Sequence, residues 1–183
     1  MRLTPATELT KRSLALQGLL RQQGLDAAVL VQNSDLFYFT GSIQQGIYYL
    51  PVDGEPVYLV RKDFGRARME SGLKNVLPLK GLRQLFDQLR DIGISLPRKV
   101  GLELDVLPVV QFQKYQKLFA PAEMADVSPL VRQVRAIKSE YEIGIMKDCA
   151  LIADKVFQYA NDIENNRIPD DVLSIPYSYF YRS

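Results

Sequence analysis

The chain has 183 residues, 47% hydrophobic and 24% charged, with a formal net charge of +2. This balance suits a globular domain with a real core and gives no drive toward nucleic acid or an anionic membrane. The count of zero histidines excludes Ser-His-Asp and Cys-His nucleophile systems and every zinc site that needs imidazole, leaving open only a carboxylate site for Mg²⁺ or Mn²⁺.

A single cysteine, Cys149, excludes an internal disulfide and fits a reducing compartment. The opening residues Met1 to Thr4, followed soon by Glu8, Lys11 and Arg12, lack the apolar stretch of a secretory signal. No uncharged apolar run reaches the ~18 residues of a membrane span. The expectation is a cytoplasmic protein that binds neither membrane nor nucleic acid.

Residues 4–23 read as a helix, with Thr4 as N-cap, Pro5 as the first helical residue and Leu9, Leu16, Leu19 and Leu20 on one face. Gly24 stands where a left-handed residue would end it. Ala27 to Val31 is a continuous apolar run, the pattern of a strand covered on both faces. Ser34 to Thr40 reads as a short aromatic-rich helix closed by Gly41, with at least one of Phe37, Tyr38 and Phe39 in the core. Ile47 to Val52 and Val57 to Arg61 flank Asp53-Gly54-Glu55-Pro56, a hairpin signal, and Pro51 and Pro56 place that hairpin toward a sheet edge.

Helix and strand then alternate. Helices are expected at 64–70, 82–92 and 108–119, and strands at 76–79, 99–103 and 123–127. This rhythm argues for an α/β fold in which a mixed sheet is flanked by helices on both faces. Ser128-Pro129 opens another helical turn. Ser139-Glu140-Tyr141-Glu142 is a capping box that starts a long C-terminal helix, with a broad apolar stripe including Ile145, Cys149, Ile152 and Val156. Residues beyond Asn161 turn polar and then aromatic, without a clear period.

The candidate chemistry is sparse. Gln32-Asn33-Ser34-Asp35 follows the first strand without a Gly-x-Gly-x-x-Gly turn, and no phosphate-binding Gly-x-x-x-x-Gly-Lys loop occurs. Glu103 and Asp105 follow a strand, and alternation turns them to one side. They read either as a carboxylate pair for a metal or substrate or, preferably, as a solvated strand end. Cys149 has no histidine to activate it and reads as a buried structural thiol. Arg132, Arg135 and Lys138 form a basic row that reads as a solvated face rather than an anion site. Tyr38 and the polar loop from Ser42 to Gly46, with Gln44 and Gln45, form the candidate substrate-side loop, set against an ordinary surface connection.

Two segments carry a family resemblance. Asn33-Ser-Asp-Leu-Phe-Tyr-Phe-Thr-Gly41 resembles the turn of creatinase and prolidase amino-terminal domains. The stretch from Ala125-Asp-Val-Ser-Pro-Leu130 to Arg135-Ala-Ile-Lys-Ser-Glu-Tyr-Glu-Ile143 resembles the linker of Xaa-Pro peptidases. Val100-Gly-Leu-Glu103 is similar to a strand of the same family. The resemblance implies an amino-terminal domain over residues 1–133, a linker and the first helix of the catalytic domain over 134–163, and a divergent aromatic tail over 164–183. It also implies that this domain serves in dimer contacts and closes over an active site. In the family, a following domain carries two divalent metal ions on two Asp, one His and two Glu.

No catalytic, cofactor-binding or metal-ligating residue can be carried over to this chain. The expectation is therefore a chain truncated before the metal-binding domain, inactive alone and without a cofactor of its own. It would self-associate as a dimer through its sheet edge or through the long-helix face at Ile145, Cys149, Ile152 and Val156, with the aromatic tail packed there as another way to cover the face, or meet a separately encoded catalytic domain. The competing reading is a stand-alone module that binds a small ligand near Ser42 to Gly46 and Glu103.

Overall fold

Six strands make one mixed sheet in the computed structural model, which describes residues 3–164. The first of two compact units ends at Ile137. It opens with helix α1 (Ala6–Gln22), strand β1 (Ala27–Leu30) and helix α2 (Asn33–Thr40), followed by the hairpin β2 (Gly46–Pro51) and β3 (Val57–Val60). Helix α3 (Phe64–Glu70) and strand β4 (Asn75–Pro78) come next. A 3₁₀ turn (Leu82–Gln84) leads into α4 (Leu85–Asp91), β5 (Lys99–Leu102), α5 (Val109–Phe119), β6 (Glu123–Asp126) and α6 (Ser128–Ala136). The spatial order is β4-β3-β2-β1-β5-β6; β2 runs antiparallel to β1 and β3, and the other pairings are parallel.

Strand alternation divides the core in two. Ala28, Leu30, Tyr48, Leu50, Tyr58 and Val60 face a cluster closed by Leu16 and Leu20 of α1, Leu36 and Phe39 of α2, and Val131 of α6. Ala27, Val29, Tyr49, Leu59, Val100 and Leu102 face the opposite cluster, closed by Leu85 and Leu89 of α4 and Tyr115 and Phe119 of α5. Helices thus cover both faces, as the α/β expectation requires. Close approach sets two glycines: a Cβ on Gly46 would lie 2.3 Å from the Leu59 carbonyl oxygen, and one on Gly101 would lie 2.0 Å from Val127 Cγ1.

Two local readings need correction. Pro5, not Thr4, is the N-cap of α1, and it offers no side-chain bond there. The hairpin does not lie at an edge, because β4 pairs with β3 and β1 with β2. The prolines are tolerated for a geometric reason. Val52 N–H bonds the Asp26 carbonyl on the β1 side at 2.8 Å, so alternation aims the missing Pro51 N–H at the β3 side. Opposite that point β3 has not yet begun, since Tyr49 pairs with Val57. Pro56 precedes β3 altogether.

The second unit begins at Lys138 and contains helix α7 (Glu140–Glu164). Its capping box is closed in both directions. Glu142 N–H donates to Ser139 Oγ at 3.2 Å, and Ser139 N–H donates to Glu142 Oε2 at 3.0 Å. The aromatic tail lies outside the described residues. No helix among them is long and apolar enough to cross a membrane.

Candidate functional site

In open α/β sheets, ligand clefts form beyond the carboxyl ends of strands where neighbouring connections diverge. Here β1 has antiparallel β2 on one side and parallel β5 on the other, and its carboxyl end turns into α2. The residue that organises this end is Glu103, just after β5 and only 2% exposed. Its Oε2 accepts from Val31 N–H at 2.6 Å and Gln32 N–H at 3.1 Å, fixing the turn between β1 and α2. Glu103 is therefore not the solvated strand end that the sequence favoured.

A second carboxyl group meets it. Asp35 on α2 is 4% exposed, stands beside Glu103, and accepts from Arg135 of α6 at 2.5 Å through Oδ1. Burial pushes the Glu103 carboxyl up to about 8, Asp35 adds to the rise, and the Val31 and Gln32 amides oppose it. Two guanidinium groups, those of Arg12 and Arg135, lie 4.0 and 5.6 Å from the centre of the Tyr38 ring. Arg12 also donates to the Tyr38 carbonyl at 2.7 Å and pairs with Glu8 at 2.9 Å. Tyr38 thus belongs to a charged seam joining α1, α2 and α6. The basic row is engaged as well: Arg132 pairs with Asp105, as Arg135 does with Asp35.

The candidate substrate-side loop divides in the structure. Ser42 is 1% exposed, and its hydroxyl donates to Glu70 Oε2 at 2.6 Å. That bond, with a smaller contribution from Arg66, holds the Glu70 carboxyl below its ordinary range against the opposing effect of burial. The Gln44 carbonyl accepts from the Tyr58 hydroxyl, and the Gln45 carbonyl accepts from Arg61 N–H at 2.7 Å. Gln44 is half-buried and Gln45 exposed. The loop is anchored by Ser42 and open at Gln45.

A cavity of about 620 Å³ opens at the other end of the sheet, lined in part by Asp26, Tyr49, Asp53, Asn75 and Arg98. It does not coincide with the ligand cleft expected near Ser42 to Gly46 and Glu103. Among the described residues no three His, Cys, Asp or Glu side chains gather as metal ligands. Asp35 and Glu103 do not fit a dimetal centre, since only two carboxyl groups converge and a guanidinium already faces one of them.

On α7, Ile152 and Val156 are both 62% exposed, Cys149 is exposed and Ile145 is half-buried. The expectation of a buried thiol at Cys149 is overturned. An apolar helical stripe predicts that a face needs covering, but not that its own chain covers it.

The family model described as the Creatinase/Prolidase N-terminal domain matches residues 12–137. A Xaa-Pro dipeptidase of Pyrococcus horikoshii is 26% identical over 141 residues, which make up 76% of this chain and 38% of that protein. An uncharacterized hydrolase/peptidase of Sinorhizobium fredii is 26% identical over 178 residues, 87% of this chain and 46% of that protein. The chain thus spans less than half the length of these relatives. Among solved structures, a Xaa-Pro dipeptidase from Bacillus anthracis superposes with a TM-score of 0.73 at 20% identity, covering 85% of this chain and 43% of its own. The isolated N-terminal domain of an X-Pro dipeptidase from Streptococcus pyogenes superposes with a TM-score of 0.57 at 18% identity, covering 67% of this chain and 98% of its own.

Proposed function

The chain belongs to the creatinase/prolidase N-terminal domain family, and on that premise we propose that it is the non-catalytic amino-terminal part of a Xaa-Pro dipeptidase-like metallopeptidase. Its role is dimerisation or closure over an active site whose metal ions are held outside these 183 residues.

The observation carrying this reading is a contrast in coverage. The isolated-domain structure from Streptococcus pyogenes is almost wholly accounted for while reaching 67% of this chain. The Bacillus anthracis dipeptidase reaches 85% of it. The difference is of the order of α7's length, which supports α7 as the start of a second half rather than the end of the first. An apolar face of this kind gains roughly 25 cal/mol per Å² on burial, so it favours association. The carboxyl end of the sheet contributes a seam of paired charges and an anchored loop.

The reading is tested on the purified 183-residue chain. Xaa-Pro dipeptide hydrolysis with added Mn²⁺, Co²⁺ or Zn²⁺ should stay at the level of the protein-free control, and metal-dependent turnover would refute the non-catalytic assignment. Light scattering should give a dimer that Ile152→Glu shifts toward monomer. A wild-type monomer at tens of micromolar would remove self-association from the proposal.

A further inference from the structure

The meeting of Glu103 with Asp35 raises a question of proton inventory that the proposed function leaves untouched. Glu103 Oε2 is satisfied by two backbone N–H groups, whereas Oε1 is buried and receives no N–H or hydroxyl donor. The side chain that Glu103 meets is another carboxyl, Asp35, itself buried. Two ionised carboxylates in contact would repel in a medium that screens charge poorly. With one proton between them, the Glu103 hydroxyl donates to Asp35, and Asp35 keeps its negative charge for Arg135.

We propose that Glu103 is carried as the neutral acid in the folded protein and that its proton is a pH-sensitive latch. The proton ties Glu103, at the end of β5, to Asp35 on α2 and through it to Arg135 on α6, while the Val31 and Gln32 amides hold Glu103 Oε2 with or without it. The surrounding charges leave the proton there. From α2 the facing group is Asp35, and from α6 it is Arg135, which is already bound to Asp35. From α5 it is Tyr115, whose phenol is itself lifted to about 12, first by burial and then by the Glu103 charge. Arg61, just after β3, acts on that phenol in the opposite direction. Asp105 and Arg132 pair with each other.

The sign of the pH dependence follows. Burial first, and Asp35 second, raise the folded carboxyl to about 8, while an unfolded glutamate titrates near ~4.3. Between those values the folded chain retains a proton that the unfolded chain has lost. The latch's contribution is whole below the lower value, declines as pH rises through the interval, and is gone above about 8.

The test follows thermal unfolding of the 183-residue chain from pH 5 to 9, for the wild type and for Glu103→Gln. The glutamine carbonyl can accept from Val31 and Gln32 while its NH₂ donates to Asp35, so the variant mimics the protonated acid at every pH. The wild-type midpoint should fall across the interval relative to the variant. Parallel profiles would overturn the proposal. Carbon-13 NMR of the wild-type side-chain carboxyls gives a separate reading should the variant not fold. A Glu103 midpoint near 8 supports the latch, and an ordinary glutamate midpoint refutes it.

Discussion

Gly46 and Gly18 show how position decides the effect of one methyl group. A Cβ at Gly46 would press on the Leu59 carbonyl oxygen at 2.3 Å and the Tyr58 ring at 3.1 Å. The nearest atom is backbone within a sheet pairing, so it cannot rotate away. Gly46→Ala should destabilise the protein by about 2–3 kcal/mol, the upper part of the overpacking range. At Gly18, inside α1, a Cβ meets nothing within 4 Å. Gly18→Ala should stabilise by about 0.5–1 kcal/mol, because alanine loses less backbone freedom on entering a helix. Urea unfolding of both variants checks the pair, and equal effects of one sign would contradict the local packing.

Among the elements, α7 offers the cleanest test of local coding. Ser139 and Glu142 satisfy each other's backbone N–H groups, so Ser139→Ala should remove about 1 kcal/mol from the start of that helix. Faster amide exchange at Glu142, with little change in the sheet, is the expected readout. This cap was legible because both partners lie within one turn. The Gly24 and Gly41 stops were legible for the same reason: each takes a left-handed φ, +63° and +78°, beside the helix it ends. The role of Glu103 was not legible, because Val31 and Gln32 stand 72 and 71 residues away and a strand's own pattern says nothing about which turn packs on its end. The Arg135–Asp35 ion pair was not legible on the same ground, since 100 residues separate its partners. The hairpin was placed at an edge because proline reports where an N–H is missing, while the strand that would have needed it is set by tertiary pairing.

For the whole molecule, the boundary after Ile137 separates a unit with two closed cores from one that exposes much of its apolar surface. The core residues named for the first unit run from Leu16 to Val131, and its sheet is complete by Asp126. A chain ending at residue 137 should therefore fold cooperatively and keep its sheet. The isolated N-terminal domain of an X-Pro dipeptidase from Streptococcus pyogenes, 98% of which is covered by 67% of this chain, is an architectural parallel. The shortened chain lacks Ile152, Val156 and Phe157, which are 62%, 62% and 75% exposed in the longer one. If α7 carries association, residues 1–137 should sediment as a monomer while the 183-residue chain sediments as a dimer. If both are dimeric, the contact belongs to the sheet unit, and the exposed stripe on α7 is free for another chain. The comparison separates two causes of assembly because the removed segment contributes no strand to the sheet.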